Sequence, residues 1–247
     1  MSVTLEFLGS GDAFGTGGRF HTCQLVRTAS LRALIDCGAS APVALQQRGI
    51  SQAELTHIVL SHLHGDHFGG VPFLLLDAAF NRPRSTPLVI AGPPGVQDRV
   101  MATLDLLFPG TGDRVTALVP HRFVEVQPHD PSDLDGVVVT VFEVPHGGGA
   151  PAHALRVGVE DRTIAYSGDT EWTPVLADVA ADADVFICEC VGWTSQVPSH
   201  LTHELLVQHA DALRPKRMLL THLGREMLHR QHEARWTCAF DGMVITL

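Results

Sequence analysis

Three imidazoles and one carboxylate crowd into the stretch Leu60-Ser61-His62-Leu63-His64-Gly65-Asp66-His67, spaced H-x-H-x-D-H. Imidazole and carboxylate together form a donor set that suits Zn, Fe or Mn better than Ca or Mg. An apolar, β-branched run, Thr56-His57-Ile58-Val59-Leu60, precedes the cluster and reads as a buried strand. Gly69-Gly70 and then Val71-Pro72-Phe73-Leu74-Leu75-Leu76 follow it and read as a helix. The cluster therefore falls where a strand stops and a helix begins. The backbone turns rapidly there, so side chains close in sequence can converge on one point.

Three more polar residues repeat this placement. His146 follows an apolar strand over 137–144, Asp169 follows one over 163–166, and His222 follows one over 218–221. The candidate ligands are thus His62, His64, Asp66, His67, His146, Asp169 and His222. This set exceeds what one catalytic metal requires and fits two metals sharing a bridging carboxylate. Two metals about 3.5–4 Å apart can share a hydroxide and clamp the oxygens of an in-line displacement. In Phe186-Ile187-Cys188-Glu189-Cys190, strand alternation puts Glu189 on the face opposite both thiols. A glutamate inside an apolar strand should face a cleft or a partner.

The elements that must position these groups can be read along the chain. Strands are expected over 3–8, 23–26, 33–36, 56–61 and 88–91, then over 123–126, 137–144, 153–159, 163–166, 184–190 and 218–221. Helices are expected near 42–48, over 67–80, from about 95 to 108, over 173–181 and over 200–213. Ser51-Gln52-Ala53-Glu54 fits a capping box. The segment 109–120 carries mixed turn signals, and Gly9 to Gly18 reads as a wide loop near a site mouth. A last pair of short strands, near Cys238 and over 243–247, should turn at Asp241-Gly242. The strands form two sets that divide near residue 120, each antiparallel first and helix-crossed later. That pattern indicates an α/β fold, a four-layer αββα sandwich with helices outside two mixed sheets. It is expected to form a single domain over residues 1–247.

Composition narrows the function classes. The chain has 247 residues, 45% of them hydrophobic, and a formal charge of −10. The negative charge argues against a generally basic surface for nucleic acid or anionic membrane. No run of about 18 apolar residues exists, so no spanning helix is expected. The five cysteines, an odd number, do not read as a disulfide framework. Buried, reduced thiols in a cytoplasmic protein are the expectation. Of the 15 histidines, His21, His57, His121, His129, His153, His203, His209, His229 and His232 show no ligand spacing. They read as surface or satisfied core residues.

Taken in order, H-x-H-x-D-H, a strand-end His, Ser167-Gly168-Asp169-Thr170 and Leu220-Thr221-His222 resemble the metallo-β-lactamase superfamily along nearly the whole chain. The similarity is greatest to its ribonuclease Z-like branch, through Gly-Asp-Thr, Ile187-Cys188-Glu189 and His200-Leu201-Thr202. The resemblance implies His62, His64 and His146 on one metal, and Asp66, His67 and His222 on a second, with Asp169 bridging. It implies a proton relay of Glu189 and His200, with Asp66 counted among the catalytic residues too. Two Zn(2+) ions are the expected cofactors, with Mn(2+) or Fe(2+) as substitutes. The implied activity is hydrolysis of a small-molecule or nucleotide phosphodiester, cyclic ones included, by a metal-bridging hydroxide. Members that mature transfer RNA carry a long, basic Gly/Pro-rich arm that has no counterpart here. They also have Ser-x-Arg-Tyr where this chain has Leu223-Gly224-Arg225. RNA is therefore not the favoured substrate. Transfer RNA 3′-processing, lactone or carboxyl-ester hydrolysis on the same metals, and a non-catalytic metal-stabilised binding module remain as alternatives. No membrane partner is expected, and a homodimer is left open.

Overall fold

The structure, a computed structural model, describes residues 2–247. Its first half runs β1 (Thr4–Gly9), β2 (Cys23–Arg27), β3 (Arg32–Ile35), α1 (Ala41–Gln47), β4 (His57–Val59), α2 (Gly65–Phe68), α3 (Val71–Phe80), β5 (Leu88–Gly92), α4 (Val96–Leu107), α5 (Gly112–Leu118) and β6 (His121–Glu125). The second half runs β7 (Ser132–Leu134), β8 (Val137–Val144), β9 (Ala152–Val159), β10 (Arg162–Tyr166), α6 (Val175–Ala180), β11 (Val185–Glu189), α7 (His203–Gln208), β12 (Met218–Thr221), α8 (Arg225–Arg230), β13 (Thr237–Cys238) and β14 (Val244–Thr246).

Among the described residues the strands form two seven-stranded mixed sheets, ordered β14-β1-β2-β3-β4-β5-β6 and β13-β12-β11-β10-β9-β8-β7. In the first, β1 to β3 pair antiparallel and β3 to β6 parallel. In the second, β7 to β10 pair antiparallel and β10 to β13 parallel. The αββα layering expected from the strand pattern is what the structure has. Alternation builds the layers. In β9, Leu155, Val157 and Val159 join the core between the sheets, and Ala152 and Ala154 face the outer helices. The parallel strands β4, β5, β11 and β12 are buried at every residue, as strands covered on both faces must be. Full burial of one Leu, Ile or Phe stabilises by about 1.5–3 kcal/mol.

Several elements differ from the expected ones. The helix over 67–80 is two helices, because the Gly70 amide donates to Cys37 O at 2.8 Å instead of continuing the first helix. A Cβ at Gly70 would lie 2.5 Å from Gly38 O, so glycine is what permits this approach. The helix over 200–213 is shorter, His203–Gln208; it starts later because Thr202 caps it by accepting from the Leu205 amide. The turn-rich 109–120 segment contains α5. The last two strands are not a hairpin. β13 joins the second sheet beside β12, and β14 crosses to the edge of the first beside β1. Asp241 holds the crossing point by accepting from the Ser10 amide and hydroxyl and from the Phe20 amide. The capping box at Ser51 is present as read.

Candidate metal centre

Parallel strands bring their C-terminal ends to one edge of a sheet, the usual place for a site in such folds. Here Asp36 follows β3, Ser61 and His62 follow β4, Asp169 follows β10, Glu189 ends β11 and His222 follows β12. His146 follows the antiparallel strand β8. All seven predicted ligands meet there. One group of donors, His62, His64 and His146, and another, Asp66, His67, Asp169 and His222, each lie within 4.8 Å of one another. Asp169 Oδ2 sits between them: 3.2 Å from His67 Nε2, 3.5 Å from His222 Nε2, 3.9 Å from His62 Nε2 and 4.0 Å from His146 Nε2. Gly168 makes this placement feasible, because its φ is +58° and a Cβ there would lie 2.5 Å from His153 O.

Hydrogen bonds behind the rings decide which nitrogens face inward. Ser61 Oγ donates to Asp36 Oδ2 at 2.8 Å, so at 3.0 Å it accepts from His62 Nδ1–H. His67 Nδ1–H donates to Asp36 Oδ2 at 2.7 Å, and His146 Nδ1–H to Ser199 O at 3.0 Å. With Nδ1–H engaged in this way, each ring has Nε2 left to turn toward a metal. His62 Nε2 is buried without a hydrogen-bond partner among the described residues, and His67 Nε2 lies 3.2 Å from both Asp66 Oδ2 and Asp169 Oδ2. His146 Nε2 lies 3.1 Å from His64 Nδ1. Buried lone pairs converging on one another and on carboxylates are costly unless a cation joins them. The donor set thus fits a divalent metal.

Charge follows the same logic. Burial pushes the Asp169 and Asp66 carboxyls up, but the imidazoles of His222 and His67 outweigh it and hold both below the ordinary carboxylate range. Burial, reinforced by the neighbouring His67, holds His62 well below the usual histidine value. His222 is raised to about 9 against its own burial, chiefly by Asp169 and by its hydrogen bond to Asp66.

Glu189 and His200 also meet. Glu189 is fully buried, and its Oε1 lies 2.9 Å from His200 Nδ1. Burial raises its carboxyl, with the His200 hydrogen bond pulling the other way. His200 is raised against its burial by that bond and by the charges of Glu189 and Asp169. Cys188 and Cys190 belong to the outer, helix-side core, as alternation predicted.

Two participants went unread in the sequence. Ser61 braces His62 from behind, Asp36 braces His67, and the two are joined by a hydrogen bond of their own. The available signal was an acidic residue ending an apolar strand; in the structure Asp36 leaves that strand in the left-handed region, φ 55°. Among the histidines without ligand spacing, His57 is satisfied, its Nε2 donating to Leu134 O at 2.6 Å. His153 corrects that expectation: it is 1% exposed, and neither ring nitrogen has a hydrogen-bond partner among the described residues.

A family model described as "Anti-Pycsar protein Apyc1" matches residues 3–240. The chain belongs to that family. It is 30% identical over 193 residues to ribonuclease Z of Mycolicibacterium paratuberculosis, covering 75% of this chain and 69% of that protein. The crystal structure of human tRNase Z, short form, superimposes with a TM-score of 0.78 at 26% identity, covering 98% of each chain. The metallo-β-lactamase fold protein YhfI from Bacillus subtilis does so with a TM-score of 0.81 at 19% identity, over 100% of this chain and 99% of that one. The member of the Apyc1 family described above is therefore a ribonuclease Z-like, metal-dependent hydrolase with the metallo-β-lactamase fold. No helix among its described residues is long and apolar enough to cross a membrane.

Proposed function

We propose that the chain hydrolyses small phosphodiesters, cyclic ones included, with two zinc ions at the centre. In this reading His62, His64 and His146 hold one ion, Asp66, His67 and His222 hold the other, and Asp169 bridges them. The observation that carries it is the position of Asp169 Oδ2, within 4.0 Å of histidines from both groups. Ions so held acidify a water and neutralise charge developing on phosphoryl oxygens. The chain's own residues do the rest. Glu189 accepts the Nδ1–H of His200, which orients the ring and favours its charged form, leaving Nε2–H to protonate the departing alkoxide. A reducing, cytoplasmic compartment belongs to the same reading, supported by cysteines that are all free.

The test is one preparation with measured zinc, offered bis(p-nitrophenyl) phosphate, p-nitrophenyl acetate and a γ-lactone. Phosphodiester turnover should dominate; faster ester or lactone turnover would overturn the reading. A second reading, cleavage at RNA 3′ ends, is favoured by the similarity to ribonuclease Z. A precursor transfer RNA in the same panel decides it.

A further inference from the structure

A cavity of about 510 Å³ opens beside His200, between the segment at 171–172, the loop at 194–200 and α7. Small-ligand pockets run about 300–1,000 Å³. Trp172 lines the cavity, its indole stacked on His209 with centroids 3.9 Å and planes 6° apart. Gln196 and Gln208 add amides to the wall. Besides His200, the ionisable side chains of the lining are Glu171 and Glu204, with no Lys or Arg among them. Such a lining is unlike a track for a nucleic-acid backbone, which is built from cations.

We propose that this cavity is the leaving-group subsite, where Trp172 stacks an uncharged planar leaving group and the Glu171 and Glu204 carboxylates repel one bearing a further phosphate. The inference rests on the phosphodiester reading and on His200 as the proton donor. A leaving oxygen protonated by His200 must lie against that ring, and His200 itself lines the cavity. In the step served, water oxygen bonds to phosphorus and the bond to the leaving oxygen breaks. One proton ends on the leaving oxygen through His200, and the other goes to the phosphate product or solvent. Glu171 and Glu204 are both exposed, so water and salt screen them in part, and a misplaced phosphate should cost about two- to fivefold in kcat/KM at low ionic strength.

The test uses the zinc-loaded full chain and two adenosine dinucleotides. They differ in one respect: the nucleoside that leaves through its 3′ oxygen carries a 5′-hydroxyl or a 5′-phosphate. Wild type should prefer the hydroxyl form by about two- to fivefold, less at high salt. Glu171→Gln with Glu204→Gln should bring the ratio close to one, mainly by speeding the phosphorylated substrate. Adenosine alone should quench indole emission, and Trp172→Leu should lose that response while Trp172→Phe keeps adenosine binding by calorimetry. An unchanged substrate ratio in the double glutamine variant overturns the charge filter. Wild-type adenosine affinity in Trp172→Leu overturns the stacking role. If neither dinucleotide is cleaved, the phosphodiester reading fails, and the adenosine titration still decides the subsite.

Discussion

His200 Nδ1 and Glu189 Oε1 are 2.9 Å apart, and the same carboxylate oxygen accepts the Thr170 amide at 2.8 Å. The glutamate is pinned by backbone before it touches the imidazole, so the ring inherits a fixed direction. His200→Ala should therefore slow an alkyl phosphodiester by about 10²–10⁴-fold and a nitrophenyl one far less, with metal content unchanged. Nitrophenolate leaves as a stable anion and needs little protonation. Glu189→Gln should show the same selectivity more weakly. Parallel kinetics on the two substrates check this, and equal losses would remove His200 from the acid role.

Asp169→Ala should lower occupancy at both positions of the centre, because its Oδ2 reaches histidines of both donor groups. Wild type should carry close to two equivalents of zinc by elemental analysis. A wild type that saturates at one equivalent would refute the dinuclear assignment.

Asp36→Asn should weaken zinc binding by about 10–100-fold, the usual consequence of losing a carboxylate behind a metal-binding histidine. Asp36 Oδ2 accepts from His67 Nδ1 and from Ser61 Oγ, which in turn braces His62. Competition with a chelator of known affinity measures the change. Unaltered affinity would show that packing alone holds the rings.

His153→Phe should leave stability unchanged or raise it, since burying an unpartnered polar group costs about 1–3 kcal/mol. It should also change the pH dependence. Burial lowers the pKa of His153, with Glu143 acting weakly the other way, and burial likewise lowers that of His57. Both are thus neutral in the folded chain near neutral pH, whereas the unfolded chain takes up protons near the ordinary histidine value of 6.5. The unfolded state then binds more protons, so stability is full above 6.5 and falls as pH drops from there toward the lowered folded values. Urea unfolding at several pH values should show that fall, shallower in His153→Phe. Identical slopes would mean that His153 is paired when folded.

Much of this site was legible because its chemistry is local. The H-x-H-x-D-H spacing sits in one turn, and the other candidate donors each mark the end of an apolar run. Asp36 was not legible, since a single carboxylate gains meaning only from Ser61 and His67, 25 and 31 residues away. The split at Gly69-Gly70 depends on close approach of the segment at Cys37 and Gly38, which periodicity cannot report. The crossing of β14 is of the same kind. A short strand with an Asp-Gly turn reads as a hairpin, whereas β14 pairs with β1 and Asp241 ties the crossing to Ser10 and Phe20, more than 200 residues away. Trp172 stacked on His209 joins positions with no shared pattern.

The donor groups are divided along the chain. His62 and His64 need His146 from beyond the β6–β7 turn, and Asp66 and His67 need Asp169 and His222 from the same side. Neither half of the polypeptide owns a complete set. Cut in the turn at 126–131, the two fragments would carry complementary claws, with β14 of the second also reaching for β1 of the first. Zinc would then act as the clasp of a split reporter, switching reassembly on when added and off when chelated.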